Sequence, residues 1–236
     1  MKSPLPAIRR TLKELGTEET QAITRRFFKE PIRLYGVKSP VVKKVAKEHF
    51  AAIKGTPKAE VFAMCDSLWA SGMLEEIGVA CEWIHRFHKE FTPDDFPRFE
   101  AWIDTYVTNW ATCDSFCTRS VGTFLTMYPQ HVADLKKRWT TSKNLWTRRA
   151  SAVSLIAPAK HGQFHDDIFQ IAATLLHDPK DLIQKAYGWL LKSAADFDRE
   201  TVFRFVMAHK ATMPRTALRY AIEKMPKEMK AEAMLK

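Results

Sequence analysis

The chain has 236 residues, and its 37 Lys and Arg against 27 Asp and Glu give a formal net charge of +10. This length allows one large domain or two small ones, and 46% hydrophobic residues are enough for a core. Only eight glycines occur, without a GxGxxG or GxxxxGK[ST] pattern, which excludes nucleotide-binding folds built on glycine-rich phosphate loops. Four cysteines do not make a disulfide scaffold, so we expect a reducing compartment.

Neither a membrane span nor a leader sequence is predicted. Stretches without Asp, Glu, Lys or Arg, such as the ten residues 150–159 and the 14 residues 120–133, are shorter than the roughly 20 residues that a transmembrane helix needs. The first residues, Met1-Lys2-Ser3-Pro4, are not followed by the apolar region of a signal peptide. We therefore expect a soluble, cytoplasmic protein that does not associate with membranes.

Helical spacing of apolar residues runs along almost the whole chain. Val42, Val45 and Ala46 are one example, and the apolar residues of 182–194 are another. Proline and glycine recur where such helices would end, as at Gly55 and Pro57, and alternating strand patterns are missing. The sequence predicts an all-α fold with a dozen or more helices.

Small residues recur inside these predicted helices at spacings of 31 to 37 residues. They are Ala80, Cys117, Ala150, Ala186 and Ala217. Arrays of helix pairs have periods of this length and need a small residue where neighbouring helices pack closely, although small residues also recur by chance. We therefore predict one domain over residues 1–236, a curved solenoid of HEAT-like helix-pair repeats with a concave basic face.

The positive charge is unevenly distributed. Residues 1–47 carry a net +8, 48–104 a net −6, 105–203 a net +3 and 204–236 a net +5. The segment 135–149 contains six basic residues, no acidic residue, and both Trp139 and Trp146. Basic residues between aromatic ones are typical of a surface that binds a polyanion, although a solvated helix face with core tryptophans gives the same pattern.

Two acidic pairs precede the centre of the chain. Glu75-Glu76 and Asp94-Asp95 are adjacent pairs whose members point in different directions on a helix. We interpret them as solvated charges of first helical turns rather than as an acid–base dyad. The Cys113-x₃-Cys117 spacing has no second ligand pair at a zinc-like distance, so we predict neither a metal site nor a cofactor.

Asp114 is unusual for its place in the sequence. A helix that begins near 111–112 would place this carboxylate on the apolar side, one turn after Trp110. A carboxylate in that position must be hydrogen-bonded, placed at the helix N-terminus, or used in chemistry. An Asp in the first helical turn, where it is favourable for the helix dipole, is the simpler alternative.

Trp189 lies outside the apolar stripe of its predicted helix. On a helical wheel it falls on the polar side, and Lys185 and Lys192 flank it there. A large aromatic residue between two lysines suggests a stacking surface. Contact with a neighbouring helix, which is common in a solenoid, is the simpler alternative.

Several segments, taken in order, resemble the AlkD-like DNA alkylation repair family of HEAT-like repeat DNA glycosylases. The resemblance covers about residues 20 to 225. The matching segments are Leu34-Tyr35-Gly36-Val37-Lys38-Ser39-Pro40, Leu68-Trp69 with Glu75, Asn109-Trp110-Ala111-Thr112-Cys113-Asp114-Ser115, Asn144-Leu145-Trp146-Thr147-Arg148-Arg149-Ala150, Ile183-Gln184-Lys185-Ala186-Tyr187-Gly188-Trp189 and Pro214-Arg215-Thr216-Ala217-Leu218-Arg219-Tyr220-Ala221.

The resemblance implies a monofunctional glycosylase that removes cationic N3- or N7-alkylpurines, such as 3-methyladenine and 7-methylguanine, from double-stranded DNA. It implies catalytic roles for Asp114, Trp110 and Trp189. The DNA contacts that we expect with it come from Arg149, Arg148, Lys185, Lys192 and Phe27. Phe27 stands where some members have a tyrosine, and Ala157 where some have a lysine. We expect the protein to act as a monomer in base excision repair.

Two other functions fit the same residues. A non-catalytic HEAT-like module would bind damaged or branched DNA, with Asp114 serving only as a helix cap. A protein-binding scaffold of the HEAT type would hold an acidic protein in its groove. Base release separates the first alternative from a glycosylase, and a preference for DNA over other polyanions separates the second.

Overall fold

The computed structural model describes residues 3–235, and it confirms the all-α prediction. Within this range the only pairing of β type is an isolated bridge between Arg33 and Met73, and none of the helices is long and apolar enough to cross a membrane. The residues divide into two compact units between Phe116 and Cys117. The single domain and the solenoid stay predictions.

The first unit ends with Phe116 and consists of seven α-helices with two short 3₁₀ turns. The helices are α1 (Leu5–Leu15), α2 (Glu18–Arg25), α3 (Ser39–Ala51), α4 (Lys58–Ala70), α5 (Leu74–Arg86), α6 (Phe96–Tyr106) and α7 (Trp110–Phe116). The 3₁₀ turns are His88–Glu90 and Pro93–Asp95. Helix α5 packs against α3, α4 and α7 and so forms the centre of this unit.

Aromatic side chains from α4, α6 and α7 form the core of the first unit. Trp69 of α4 stacks on Trp102 of α6 with ring centroids 6.3 Å apart. Phe116 meets both rings edge-on, at 5.5 Å from Trp69 and 5.8 Å from Trp102. All three side chains are buried. Edge-to-face contacts of this kind are specific in geometry, so they fix the position of α7 within the unit.

The second unit begins at Cys117 and contains the remaining helices. They are α8 (Gly122–Met127), α9 (Val132–Asp134), α10 (Leu145–Val153), α11 (Ile156–Ala159), α12 (His165–Thr174), α13 (Asp181–Ala194), α14 (Arg199–His209), α15 (Arg215–Ala221) and α16 (Lys227–Met234). Two π-helical turns, Cys117–Val121 and Leu135–Trp139, and a 3₁₀ turn, Pro129–His131, complete it. Side-chain caps begin two of the helices, since Asn144 accepts from the backbone N–H of Trp146 and Asp198 from that of Thr201.

Helix α13 is the centre of the second unit, where it packs against α10, α12 and α15. Gly188 brings α13 close to α15, because a Cβ atom at this position would lie 2.7 Å from the Cβ of Tyr220 and 2.8 Å from the carbonyl oxygen of Ala217. Tyr187 ties α13 to the end of α12 by donating its hydroxyl to the carbonyl oxygen of Leu176 at 3.0 Å. Close approach at Gly188 therefore sets the spacing of these helices.

The small residues that the sequence analysis singled out lie in the core. All five are completely buried: Ala80, Cys117, Ala150, Ala186 and Ala217. Ala217 also lies at the close approach of Gly188. Their burial agrees with the prediction that these positions serve helix packing, and the repeat period stays a prediction. Of the two tryptophans in the basic segment 135–149, Trp139 is a core residue and Trp146 is half-buried.

Candidate functional site

Trp110 and Asp114 lie on one face of α7, a turn apart and both half-buried. The N-terminus of this helix is satisfied by Asn109, whose side-chain oxygen accepts from the backbone N–H of Thr112 at 3.0 Å. The first turn of α7 contains no acidic residue. The alternative interpretation of Asp114 as a first-turn carboxylate is therefore wrong, because Asn109 fills that role and Asp114 comes after it.

The inner face of α7 holds the helix in place. Thr112, Cys113 and Phe116 are buried, as the predicted helical pattern requires. Since Phe116 belongs to the aromatic core, α7 has little freedom to rotate. Its outer face therefore presents Trp110 and Asp114 from a rigid element, which is what a catalytic constellation needs.

Two consecutive phenylalanines meet Trp110 in different ways. The ring of Phe28 stacks on the indole, with centroids 5.2 Å apart and an interplanar angle of 16°. Phe27 contributes its backbone, because its carbonyl oxygen accepts from the indole Nε1 at 3.2 Å, while its own side chain is 67% exposed. Phe27 is the residue predicted from the sequence, and its contact with DNA stays a prediction, whereas the ring beside Trp110 is that of Phe28. The Phe27-Phe28 doublet itself was the available signal, since it offers two adjacent aromatic rings, either of which could meet Trp110.

The prediction for the acidic pairs is wrong in three of four cases. Glu75 and Glu76 are in a first helical turn, that of α5, but they are buried rather than solvated. Asp95 is also buried and accepts from the ammonium of Lys58 at 2.7 Å, whereas Asp94 is exposed. Buried carboxylates must find donors, and each of these three does.

Glu75 binds the backbone of the segment 35–37. Its carboxylate accepts from the N–H groups of Tyr35, Gly36 and Val37 at 2.9, 2.8 and 3.0 Å. The signal in the sequence was the segment Leu34 to Val37, which has neither helical nor strand spacing. Backbone donors in such a segment require acceptors from elsewhere in the chain.

Glu76 joins Arg9 and Tyr35. It accepts from the guanidinium Nε of Arg9 at 3.0 Å and from the hydroxyl of Tyr35 at 2.7 Å. Burial, together with the hydrogen bond to Glu76, raises the pKa of Tyr35 to about 12. Beside this cluster a cavity of about 700 Å³ opens, lined among others by Arg9, Lys13 and Arg33. Trp110 and Asp114 are not among its lining residues.

In the second unit, Trp189 lies half-buried on α13, between the two lysines that the sequence analysis placed beside it. Each lysine has an acidic partner: Lys185 lies 3.3 Å from Asp181, and Lys192 lies 2.9 Å from Glu223. Both acids are more than 40% exposed. The ammonium of Lys192 also lies 5.6 Å from the ring centroid of Tyr220.

The two arginines of α10 bind groups near the start of α13. Arg148 donates to the carboxylate of Asp178 at 2.7 Å and to the carbonyl oxygen of Ser142 at 2.8 Å. Arg149 is 5% exposed and donates to the carbonyl oxygen of Leu182 at 2.5 Å. Their contacts with DNA stay predictions. Both guanidinium groups connect α10 to the start of α13, since Asp178 lies just before this helix and Leu182 lies in its first turn.

The four cysteines are buried thiols, and burial raises the pKa of the Cys65 thiol well above its ordinary value. A thiol in such surroundings is inert as a nucleophile. Residues 3–235 contain no group of three or more His, Cys, Asp or Glu side chains placed to hold a metal ion.

Comparison with known proteins gives a family and a fold. The model of a protein family described as DNA alkylation repair enzyme matches residues 8–225. Among solved structures, the chain is similar to a predicted DNA alkylation repair enzyme from Enterococcus faecalis, with a TM-score of 0.80 and 16% sequence identity. That similarity covers 90% of this chain and 97% of the other. No curated protein matches the sequence.

Proposed function

Because the chain belongs to the DNA alkylation repair enzyme family, we propose that it is a monofunctional DNA glycosylase that hydrolyses the N-glycosidic bond of cationic N3- or N7-alkylpurines in double-stranded DNA. It would act in base excision repair as a cytoplasmic monomer. The observation that carries the catalytic part is the geometry of α7: Asn109 caps the helix, and the carboxylate of Asp114 lies one turn from the indole of Trp110.

The chemistry suits this set of side chains. A cationic alkylpurine leaves as a neutral base that keeps the electron pair of the broken bond, so no general acid is needed. The deoxyribose becomes oxocarbenium-like, and a water molecule adds to its C1′ atom. The ionised carboxylate of Asp114 stabilises the positive sugar and accepts the proton of that water. The products are the free base and an abasic site.

The tryptophans have a smaller role. The indole faces of Trp110 and Trp189 attract a positive base or sugar by about 0.5–2 kcal/mol each. Rate enhancements by enzymes correspond to roughly 8–23 kcal/mol. The carboxylate of Asp114 and the lability of the alkylated base itself must therefore supply most of the effect.

Lys185 and Lys192 are the cations best suited to grip DNA phosphates. Exposed ion pairs contribute roughly 0–1 kcal/mol, so Lys185 can exchange Asp181 for a phosphate at little cost, and the acidic partner of Lys192, Glu223, is itself exposed. The side chains of Arg148 and Arg149 are largely buried. We also assign them contacts with phosphates, and their hydrogen bonds to Asp178 and Leu182 would keep the two guanidinium groups in position for these contacts. The ring of Phe27 is exposed, which supports its proposed contact with a base or sugar.

The test is base release from a duplex that contains 7-methylguanine, measured as free base above the spontaneous rate. Asp114→Asn should bind the duplex as the wild type does and should lose most of the release. Asp94→Asn, which removes an exposed carboxylate of the same unit, is the matched control and should release base normally. Release at the wild-type rate by Asp114→Asn would remove Asp114 from the mechanism. Binding of damaged duplex without release by the wild type would instead support the non-catalytic module.

A further inference from the structure

Trp110 is held by two contacts that act on different motions of its ring. Stacking with Phe28, at 5.2 Å and 16°, covers one face of the indole and resists tilting. The hydrogen bond from Nε1 to the carbonyl oxygen of Phe27 resists rotation within the ring plane. Both contacts come from one short segment, 27–28, which directly follows α2.

That segment is not held by a core of its own. Helix α2 contains no buried residue, and Ile23 on it is 47% exposed. A helix of eight residues without an apolar face in the core is not stable by itself. Something other than core packing must therefore keep α2 and the residues after it in place.

Hydrogen bonds to the segment 35–37 supply this anchoring. The backbone N–H of Thr17, which caps α2, donates to the carbonyl oxygen of Gly36 at 3.1 Å. The side-chain amide of Gln21 donates to the carbonyl oxygen of Tyr35 at 3.0 Å. The backbone N–H groups of Tyr35 and Gly36 donate to the buried carboxylate of Glu75. The anchoring thus runs from Glu75 through the segment 35–37 to α2.

The C-terminal end of α2 then delivers the contacts. Backbone hydrogen bonds continue past the helix, from the N–H of Phe27 to Thr24 and from that of Phe28 to Arg25, both at 3.1 Å. These turns aim the carbonyl group of Phe27 and the ring of Phe28 at Trp110. The anchored unit of α2 and residues 26–28 is here named the α2 strap.

We propose that Phe28 is a positioning residue for Trp110. The α2 strap holds the indole so that Phe28 covers one face and the opposite face is open to the cationic base. This inference rests on the proposed function, since it takes Trp110 to meet the base. It assigns a role to a residue, Phe28, that touches no reacting atom. It also assigns a role to the buried carboxylate of Glu75, which anchors the α2 strap through the segment 35–37.

The expected effects on catalysis are modest and specific. Loss of an aromatic stacking contact corresponds to about a two- to tenfold change in an equilibrium. Phe28→Ala should therefore lower kcat for 7-methylguanine release about two- to tenfold and leave the Kd for the duplex nearly unchanged. Phe28→Leu keeps apolar bulk without the ring and should show much of the same loss, whereas Phe28→Tyr should restore kcat.

A double-mutant cycle separates positioning from general support of the fold. If Phe28 acts through Trp110, Phe28→Ala should lower kcat in the wild type but have almost no effect in a Trp110→Ala background. Ile23→Ala, on an exposed position of the same strap, is the matched control and should leave kcat unchanged. An equal loss in both backgrounds would overturn the proposal, because Phe28 would then act independently of Trp110.

A spectroscopic readout keeps this test independent of glycosylase activity. The difference between wild type and Trp110→Phe isolates the fluorescence of Trp110, and its quenching by acrylamide reports the exposure of the indole. Phe28→Leu should increase that quenching, and Ile23→Ala should not. Unchanged quenching in a folded Phe28→Leu variant would overturn the proposal. If the wild type released no base, the glycosylase proposal would fail, and the quenching result would still decide whether Phe28 positions Trp110.

Discussion

Two sets of charged groups, one in each unit, are held in opposite ways. In the first unit, Glu75 and Glu76 are at most 3% exposed. Glu75 accepts from backbone N–H groups, and Glu76 accepts from the side chains of Arg9 and Tyr35. In the second unit, Lys185 and Lys192 pair with acids that remain 44% and 58% exposed. Buried charges must keep their partners, whereas exposed ones can exchange them.

The buried carboxylates are held rigidly, whereas the ion pairs with exposed acids can rearrange. The buried carboxylates of the first unit anchor the elements around Trp110 and Asp114, which is where a rigid arrangement is useful for chemistry. The exposed ion pairs of the second unit leave cations that can turn to phosphates when DNA arrives. Trp110 and Asp114 of the first unit are therefore candidates for base excision together with Trp189 of α13, and the lysines of α13 are candidates for DNA binding. Three predictions test this comparison.

The largest effect is expected where the first unit is most rigid. Glu75→Ala leaves the N–H groups of Tyr35, Gly36 and Val37 without their acceptor, and each unsatisfied buried group costs about 1–3 kcal/mol. We expect the free energy of unfolding in urea to fall by about 3 kcal/mol or more. Glu60→Ala removes a first-turn glutamate of α4 that is exposed, and it should change stability by less than about 0.5 kcal/mol. Similar losses in both variants would refute the special role of Glu75.

An intermediate effect is expected from two helical glycines, one in each unit. A Cβ at Gly188 would press on backbone atoms of α15, so Gly188→Ala should destabilise the protein by about 1–3 kcal/mol. A Cβ at Gly78 would meet only the side chain of Val42 at 3.1 Å, and the gain in helix propensity of about 1 kcal/mol should offset that contact. Thermal melting of both variants checks the contrast. Equal melting temperatures would show that the spacing of α13 and α15 is adjustable.

The smallest effect on stability is expected at Lys185 of the second unit, whose ion pair with Asp181 is exposed on both sides. Lys185→Ala should change the free energy of unfolding by less than about 1 kcal/mol. It should lower the slope of log K for duplex binding against log salt by about 1, because one phosphate contact is lost. Lys224→Ala removes a lysine that pairs with Asp196 at 2.8 Å, outside the predicted contacts, and should keep the slope. A lower slope in both variants would mean that the charge of the unit acts only as a whole.

Local patterns in the sequence were sufficient for several features. The helical class followed from apolar spacing, and the burial of Cys113, Cys117 and Ala186 followed from the same periodicity. The shared face of Trp110 and Asp114 followed from their separation of four residues. These features depend on the geometry of one helix, which is the same in every protein.

Other features needed the tertiary structure because their partners are distant along the chain. Nothing near Glu75 indicates that it meets the backbone of residues about 40 positions earlier, so it was taken for a solvated charge. The choice between Phe27 and Phe28 depended on where α7 lies, and the partners of Lys185 and Lys192 depended on side chains brought alongside them by folding and helix geometry. Sequence periodicity tells which face of a helix is apolar. Only the tertiary structure determines which polar groups and rings come to lie beside a helix. It is therefore the tertiary structure that brings Phe27 and Phe28 against Trp110.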